Sequence, residues 1–447
     1  MDQELEEMFR AYDIRGNTES VLTPDVMRRI GKAYGSLLDW LNKEEVVVGH
    51  DARNTSDGLS EAFIGGVEDT GRYVVDLRRE PFGVVLFYAW RNDIESAYIT
   101  ASHLPKQWNG VKFYHPNGVG YTAEENEEVR DLFMNESFVE GDGTVEEMDV
   151  REEYLDFVRS QVDGGDASVL LDCGNGVAGL TAPELFRKAG FDVTTLFEEP
   201  DGSFPNRESD ITDESVSRLR EEVADHDFGI AYDGDSDRCA LVTREGRLLE
   251  ADETAAIVLE EFLREREGTI IANVECSRMI EDVAERHGCT VERVRVGHTY
   301  LYKAVHDHDA IFGVEKAGHF AVPHVFPLDD AVAASLFFAS QVDAMDRTLE
   351  EVVEDLPDYH SDRIAFECPD DRKFDVVNTL TEEFRKEYDQ TTTIDGIRVD
   401  LEEGWVLIRA SNTSPKIRLT LEAEDREAFE RLRERFSSRL ERAIEDA

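Results

Sequence analysis

The stretch that decides the fold reads Phe228-Gly229-Ile230-Ala231-Tyr232-Asp233-Gly234-Asp235-Ser236-Asp237-Arg238. Its first five residues are apolar and have the length of a buried strand. Three aspartates, Asp233, Asp235 and Asp237, then follow at alternate positions. Carboxylates placed so close together repel one another unless a cation neutralises them. The pattern therefore favours a site for a hard divalent ion bound by oxygen.

This stretch has two other interpretations. A calcium loop of the EF-hand type needs Gly at its sixth position and Glu at its twelfth, where this chain has Arg238 and Arg244, so that loop is excluded. A solvated loop in a very acidic protein remains an alternative. We favour a metal site because the triplet directly follows an apolar strand and includes Gly234, which permits a tight turn.

The composition limits the function classes. The chain has 447 residues, enough for three or four domains, and carries a net charge of −51 from 99 acidic and 48 basic residues. Such a charge argues against binding nucleic acid through its phosphates. Because only 10 of the basic residues are Lys, the charge pattern predicts a salt-adapted cytoplasmic protein from a halophilic archaeon.

Cysteines and terminal segments add further exclusions. The five cysteines are scattered without a Cys-x-x-Cys spacing, so neither a disulfide framework nor a zinc site is expected. The acidic N-terminus has no apolar segment of the kind found in signal peptides. No apolar run approaches the roughly 18 residues that a membrane helix needs. We therefore predict a cytoplasmic protein without membrane partners.

Apolar, strand-like runs alternate with helical periodicity along most of the chain. Polar or glycine residues follow these runs at 49–51, 100–103, 172–176, 272–275 and 313–315, and helical patterns cover 25–41, 183–189, 253–266 and 279–287. The alternation predicts α/β domains whose ligands bind beyond the strand ends. From residue 357 the pattern changes to a hairpin, a strand over 416–422 and a helix over 426–444, which is α+β.

We therefore predict an α/β fold with three similar mixed α/β domains and a smaller C-terminal α+β domain. The boundaries lie at turns and acidic stretches and give domains over residues 1–145, 146–248, 249–356 and 357–447.

A second candidate for chemistry is Thr100-Ala101-Ser102-His103 at a predicted strand end, with Lys112 ten residues after Ser102. A serine on a tight loop beside His and Lys is a candidate nucleophile or phosphoryl carrier. The alternative is an ordinary loop serine. If Ser102 carried a phosphate, it would place about two negative charges beside the predicted ion.

Three further segments contain residues that are suited to binding phosphate or sugar. The loop of residues 409–416 joins Arg409 to hydroxyls, an amide and backbone N–H groups, although an ordinary hairpin loop has a similar composition. The loop of residues 313–319 carries one acid, Glu315, that could bind sugar hydroxyls or belong to a simple turn. Arg15 precedes a glycine and suits bidentate phosphate contact, or is a surface residue.

Taken together, these segments resemble the α-D-phosphohexomutase family, the phosphoglucomutases and phosphomannomutases. The resemblance runs along the whole chain and rests on the segments Phe9–Gly16, Thr100–His103, Asn109–Lys112, Asp172–Gly179, Pro200–Asn206, Asp233–Arg238, Glu315–His319 and Arg409–Lys416. Their order along the chain is far more specific than any one of them.

The resemblance implies a four-domain enzyme around a central cleft, with one loop from each domain. Ser102 is then the phosphoserine, and Mg²⁺ is held by Asp233, Asp235, Asp237 and a phosphate oxygen on Ser102. The enzyme transfers this phosphoryl group to a hexose phosphate, and the resulting hexose bisphosphate reorients and returns its other phosphoryl group. A monomer or a small homo-oligomer is expected.

The resemblance also assigns roles around the cleft. Charge stabilisation or proton transfer falls to Arg15, His103, Lys112 and His298. The sugar contacts Arg238, Glu315 and His319. The non-reacting phosphate is held by Arg409, Ser411, Asn412 and Thr413, and Arg418 is a further substrate-binding residue.

This chain departs from the family pattern at several places. Leu104 stands where Asn is usual, Ala317 where Ser is usual, Glu275 where some relatives have Lys, and residues 80–83 where Thr-Pro is commoner. Leu104 is expected to alter the loop or the metal surroundings, and Ala317 to alter sugar preference. A glucose or mannose phosphate mutase is the leading hypothesis. The alternatives are a phosphoglucosamine mutase, a non-catalytic phosphosugar-binding scaffold and a metal-dependent phosphatase in which Ser102 has no role.

Overall fold

The computed structural model describes residues 2–9, 13–411 and 414–447. We refer to the four predicted parts as domains I to IV. The boundaries between them stay predictions. Each part contains a sheet of its own, and the loops that carry the candidate motifs leave these sheets at strand ends.

Domain I is built on a six-stranded mixed sheet of order β1-β5-β4-β2-β3-β6. Its elements are α1 Asp2–Glu6, β1 Ile14–Asn17, α2 Pro24–Trp40, β2 Glu45–His50, α3 Ser56–Glu68, β3 Tyr73–Arg79, α4 Phe82–Asn92, β4 Glu95–Ile99, β5 Trp108–Tyr114, α5 Ala123–Met134 and β6 Thr144–Glu147. Strand β5 pairs antiparallel with both β1 and β4, whereas β2 is parallel to β3 and β4. Helix α2 begins where the Thr23 hydroxyl accepts a hydrogen bond from the Val26 N–H, with Pro24 in its first turn.

Domain II has a four-stranded sheet of order β10-β9-β7-β8. Its elements are α6 Arg151–Gln161, β7 Ser168–Asp172, a 3₁₀ helix Val177–Leu180, α7 Ala182–Lys188, β8 Asp192–Leu196, α8 Ser217–Glu222, a 3₁₀ helix Val223–Asp225, β9 Phe228–Tyr232 and β10 Cys239–Thr243. Strand β9 is the apolar run before the aspartates, and all five of its residues are buried. The antiparallel turn from β9 to β10 carries the triplet.

Domain III also has a four-stranded sheet, of order β12-β11-β13-β14. Its elements are α9 Ala251–Phe262, a 3₁₀ helix Leu263–Glu265, β11 Thr269–Asn273, α10 Met279–Arg286, β12 Thr290–Val294, α11 His298–Asp307, β13 Phe312–Val314, β14 Phe320–Ala321, α12 Ala331–Ala344 and α13 Leu349–Glu354. Strand β11 is parallel to β12 and β13, so the segments after β11 and β13 emerge at one sheet edge.

Domain IV is different, because each pairing in its five-stranded sheet of order β15-β19-β18-β17-β16 is antiparallel. Its elements are β15 His360–Glu367, α14 Lys373–Glu387, β16 Thr391–Thr392, β17 Ile397–Leu401, β18 Gly404–Ala410, β19 Lys416–Ala423 and α15 Arg426–Asp446. The predicted fold class, three mixed α/β domains followed by an α+β domain, is confirmed.

The buried apolar side chains divide unequally among the domains. One continuous core takes side chains from domains I, II and III, among them Phe87, Tyr154 and Phe337, whereas domain IV packs a separate core around Phe384 and Phe436. Within the described ranges, no helix combines the length and the apolar character needed to cross a membrane.

Candidate active site

Ser102 lies in the loop between β4 and β5, at the carboxyl end of β4. Its backbone adopts a left-handed conformation with φ of 50°, and its N–H donates a 2.8 Å hydrogen bond to the hydroxyl of Thr100. Its Oγ donates a 2.9 Å hydrogen bond to Asp233 Oδ2 in domain II. The structure thus brings the candidate nucleophile into contact with the aspartate triplet.

The three aspartates form a tight and deeply buried cluster. Oxygens from Asp233, Asp235 and Asp237 lie within 4.8 Å of one another, and each residue is at most 1% exposed. Burial, followed by repulsion from Asp237 and Asp235, raises the pKa of Asp233. Among the described residues, Asp235 Oδ1 and Asp237 Oδ1 have no hydrogen-bond partner. Unpartnered buried carboxylate oxygens of this kind fit a divalent cation.

Lys112, on β5, supplies a positive charge that offsets part of the negative charge of the three aspartates. Its Nζ lies 2.6 Å from Asp237 Oδ2 and 3.4 Å from Asp235 Oδ2. Burial opposes the charged amine, but the two carboxylates raise the pKa of Lys112. In return, although burial favours the neutral acid, Lys112 lowers the pKa of Asp237. The amine therefore stays charged and sits directly beside the triplet.

Arg53 is a site residue that the sequence reasoning missed. Its fully buried guanidinium donates hydrogen bonds to the main-chain carbonyls of Ser102 and Leu104 at 2.6 Å each, of Pro105 at 3.0 Å and of Trp108 at 3.2 Å. Its Nε bonds to Asp51 Oδ2 at 3.0 Å. One side chain therefore holds the whole loop, and it does so through main-chain atoms that the Leu104 departure does not change.

His103 is part of the same loop as Ser102, and Arg15 lies near it. His103 Nδ1 lies 3.3 Å from Ser102 Oγ, and burial, with the nearby charges of Arg238 and Arg15, lowers the pKa of His103 to about 2. The ring is therefore neutral. Arg15 lies on β1, opposite Gly110 of β5, and forms an ion pair with Asp13 at 2.6 Å.

Two histidines of domain III meet Arg238 of domain II. The rings of His298 and His319 stack with centroids 5.2 Å apart, and Arg238 Nε donates a 3.1 Å hydrogen bond to His319 Nε2. The predicted sugar-binding residues Arg238 and His319 are thus in contact with each other. Burial, with His319 and Lys112, lowers the pKa of His298 well below its usual range, so that ring is neutral.

Glu315 and its neighbours define the rest of this part of the site. One carboxylate oxygen of Glu315 accepts a 3.1 Å hydrogen bond from the N–H of Gly297, while Oε2 is buried without a partner in the described ranges. Two acidic residues that were not predicted from the sequence, Asp329 and Asp252, support the loop of residues 313–319. Asp329 lies 3.2 Å from His319 Nδ1, and Asp252 accepts two 2.8 Å hydrogen bonds from Lys316.

The predicted phosphate loop lies in domain IV between β18 and β19. Lys373 was not predicted, yet its amine donates hydrogen bonds to the carbonyls of Ser411 at 2.6 Å and Ser414 at 3.1 Å. Arg409 and Arg418 face each other in the β18–β19 register. Asn412 and Thr413 fall outside the described residues, as do residues 10–12 of the N-terminal motif.

Most of the candidate residues therefore form one connected set. Contacts across domains I to III link Ser102, the three aspartates, Lys112, His103, Arg238, His298 and His319. The arginines of domain IV meet this region through Glu275, which follows β11 and accepts a 2.9 Å hydrogen bond from Arg409 Nε.

Comparison with known proteins agrees with this arrangement. The four domain profiles described as phosphoglucomutase/phosphomannomutase domains I, II, III and C-terminal match residues 6–140, 152–246, 250–359 and 364–438. A protein of Methanopyrus kandleri named probable phosphoglucosamine mutase is 34% identical over 98% of each chain. The chain belongs to the phosphoglucomutase/phosphomannomutase family.

Other members of the family extend the comparison. A Thermococcus kodakarensis protein named phosphoglucomutase/phosphomannomutase is 30% identical over 98% of this chain and 99% of its own. The crystal structure of a family protein from Burkholderia thailandensis superimposes with a TM-score of 0.91 at 27% identity, covering 98% of each chain. The resemblance seen in the sequence is therefore confirmed, and the protein is an enzyme of the isomerase class. Metal dependence is a property of this family, and the aspartate cluster could bind such an ion.

Proposed function

We propose that the protein is a phosphohexomutase that interconverts hexose 1-phosphate and hexose 6-phosphate, with glucose or mannose phosphates as substrates. The observation that carries this proposal is the 2.9 Å contact between Ser102 Oγ and Asp233 Oδ2. It places a candidate phosphoryl carrier against a cluster suited to a cation. A metal beside a phosphoserine is the arrangement that phosphoryl transfer needs.

We further propose Mg²⁺ as the ion, with Asp233, Asp235 and Asp237 as its protein ligands. The three residues offer only oxygen, which Mg²⁺ prefers. When bound, the ion supplies neutralisation of negative charge on the phosphoryl oxygens. Lys112 adds a fixed positive charge on the same side, because it lies 2.6 Å from Asp237.

In the first transfer, a hydroxyl oxygen of the hexose phosphate attacks the phosphorus on Ser102. A new O–P bond forms, the bond from phosphorus to Ser102 Oγ breaks, and the product is a hexose bisphosphate. We assign the hydroxyl proton to His298, whose buried neutral ring can accept it. Ser102 Oγ leaves beside Lys112, Arg15 and His103, with the two cations stabilising its negative charge.

In the second transfer, the bisphosphate has turned around and its other phosphoryl group faces Ser102. Ser102 Oγ attacks that phosphorus, the bond from phosphorus to the sugar oxygen breaks, and the proton on His298 passes to that oxygen. Ser102 Oγ carries no proton to lose in this step, and the neutral ring of His103, 3.3 Å away, can hydrogen-bond to it during the attack. Together the two transfers restore phosphoserine at Ser102 and release the isomeric hexose monophosphate.

Substrate binding divides between two domains. Glu315, His319 and Arg238 are proposed to contact sugar hydroxyls, and the free oxygen Glu315 Oε2 supports this role. The phosphate that does not react is assigned to Arg409, Ser411, Asn412, Thr413 and Arg418. Anchoring one phosphate far from the reaction uses binding energy to orient the reacting end, and it serves both orientations of the sugar.

Phosphoglucosamine mutase is the second candidate. It is favoured by the 34% identity to the Methanopyrus kandleri protein of that name. Ala317 lacks the hydroxyl that is usual at this place in the sugar loop. The sugar preference of relatives that carry Ser there therefore does not transfer directly to this chain.

The deciding experiment is a coupled assay on the 1-phosphates of glucose, mannose and glucosamine with Mg²⁺ at molar KCl. Intact mass is measured in parallel. Wild type is expected to turn over at least one sugar and to carry an extra mass of about 80 daltons that phosphatase removes, the mass of one phosphate group. Ser102→Ala is expected to lack both, while the exposed control Ser20→Ala keeps both.

Two results contradict the proposal. Absence of turnover on every sugar excludes the mutase, and tight sugar-phosphate binding in that case favours a scaffold. Activity that survives Ser102→Ala but is lost in Asp233→Asn favours a metal-dependent phosphatase.

A further inference from the structure

Three arginines lie on one face of the domain IV sheet. Arg409 on β18 is opposite Arg418 on β19, and Arg418 is opposite Ala365 on β15. Arg363 lies two residues before Ala365, so its side chain is on the same face. Arg363 is 46 positions before Arg409 in sequence and belongs to neither the phosphate loop nor its flanking strands.

Glu275 of domain III is bound between two of these arginines. Its Oε1 lies 2.9 Å from Arg409 Nε and its Oε2 lies 3.1 Å from Arg363 Nη2. The carboxylate is only 2% exposed, whereas the Arg363 side chain is 39% exposed. Because Glu275 uses one N–H group of each guanidinium, further donors on both arginines remain for another anion.

The cluster carries an excess of positive charge. Two of the three guanidinium groups are hydrogen-bonded to the Glu275 carboxylate, and a second carboxylate, on Asp395, lies 3.9 Å from Arg409 Nη1. Burial, with repulsion from Arg363 and Arg409, lowers the pKa of Arg418. Arg418 Nε is buried without a partner among the described residues. Although the chain as a whole has a net charge of −51, this cluster has a local excess of positive charge. Such a cluster is suited to binding an anion.

We propose that Arg363 is a further ligand of the non-reacting phosphate of the sugar substrate, and that Glu275 is the positioning residue that holds Arg363 and Arg409 toward it. The inference rests on the proposed function and extends the phosphate site beyond the loop of residues 409–416. Glu275 itself carries negative charge and does not contact the phosphate. A phosphate dianion offsets the excess charge of the three arginines.

The test compares Arg363→Gln with Arg431→Gln in steady-state assays on the preferred hexose 1-phosphate. Arg431 is a suitable control because it lies on α15, where Glu403 and Glu427 hold it. Loss of one charge-assisted contact is expected to raise KM roughly tenfold to a hundredfold in Arg363→Gln, with kcat within about threefold of wild type. Arg431→Gln is expected to match wild type, and Arg363→Lys to lie between the two.

Direct binding separates this inference from the proposed function. Calorimetric titration of hexose 6-phosphate is carried out in the Ser102→Ala background, where no turnover occurs. Absence of wild-type turnover overturns the proposed function. An unchanged KM and Kd in Arg363→Gln overturn the role of Arg363, and so does an equal loss in Arg431→Gln, since that result shows a general effect of charge. If Arg363→Gln does not fold, Arg363→Lys decides the question, and a KM and Kd equal to those of wild type then overturn the role.

Discussion

The guanidinium of Arg53 donates a hydrogen bond to the main-chain carbonyl of Ser102 across 2.6 Å. The same side chain binds three other carbonyls of the loop and the carboxylate of Asp51. Ser102 has a left-handed backbone, which a non-glycine residue adopts at some cost. Arg53 therefore keeps the candidate nucleophile in a conformation that the free loop would not favour.

Arg53→Met is expected to impair both folding and turnover. Because the change leaves Asp51 as a buried carboxylate without its cation, unfolding free energy falls by about 3–5 kcal/mol. Displacement of Ser102 lowers kcat by roughly a hundredfold. Urea unfolding and the mutase assay measure the two effects. Arg28→Met, which removes an exposed pair with Asp69, serves as the control and costs under about 1 kcal/mol. A folded Arg53→Met enzyme with wild-type kcat contradicts the positioning role.

Lys373→Met is expected to weaken substrate binding. The amine holds the carbonyls of Ser411 and Ser414, so its loss frees the phosphate loop to adopt other conformations. KM for the hexose phosphate rises about tenfold, the value of one charge-assisted hydrogen bond, while kcat changes little. Lys386→Met, at an exposed position of the same helix, is the control. Equal KM values in the two variants would show that the loop does not depend on Lys373.

Addition of Mg²⁺ is expected to stabilise the protein. The buried aspartates repel one another, and an ion that binds only the folded chain raises the unfolding free energy by about 2.7 kcal/mol at a hundredfold excess over Kd. Calorimetry with EDTA and with increasing Mg²⁺ measures the shift in Tm, and EDTA abolishes turnover. Asp235→Asn shows little shift, whereas the exposed Asp192→Asn behaves as wild type. A Tm independent of Mg²⁺ argues against the metal site.

His115 is expected to make stability depend on pH. Burial opposes its charge, but hydrogen bonds to Glu125 and Glu95 raise the pKa of His115 to about 9. A raised histidine pKa contributes stability that is fully present below the unfolded value of about 6.5 and is lost as pH rises through 9. Between pH 6.5 and 9.5, wild type loses about 1–2 kcal/mol more unfolding free energy than His115→Gln. Parallel pH profiles of the two proteins would exclude this coupling.

We propose that salt stabilises the folded chain. A net charge of −51 repels itself at low ionic strength, and counterions screen that repulsion. The midpoint of thermal unfolding is therefore expected to rise from low to molar KCl. A midpoint that stays constant or falls across this range contradicts the proposal.

The sequence predicted the parts of the site that lie in short contiguous segments. The five apolar residues of strand β9 predicted a buried strand, and the alternate spacing of the three aspartates after it predicted a metal site. Ser102 and Arg409 stood in loops with turn-forming and polar residues. In each case the signal lay within about ten residues of the chain.

Residues that act across the fold were not predictable in this way. Arg53 is 49 positions from Ser102, and Glu275 is 134 positions from Arg409. An isolated Arg in a sequence gives no sign that four carbonyls will surround it. The expectation for Leu104 considered only its side chain. In the structure, the main-chain carbonyl of Leu104 accepts hydrogen bonds from Arg53 and Ser209.

The division of the apolar core decides which part of the enzyme can move. Domains I to III share one core, so displacing any of them exposes apolar surface at about 25 cal/mol per Å². Domain IV keeps its own core and is joined to domain III by polar contacts such as Arg398 to Val274 and Asp395 to Val296, together with a small cluster around Trp405. Water can replace most of those contacts. The domain that carries the arginines proposed to bind phosphate is therefore the one that can move at least cost, and we propose that its movement opens and closes the path of the sugar phosphate.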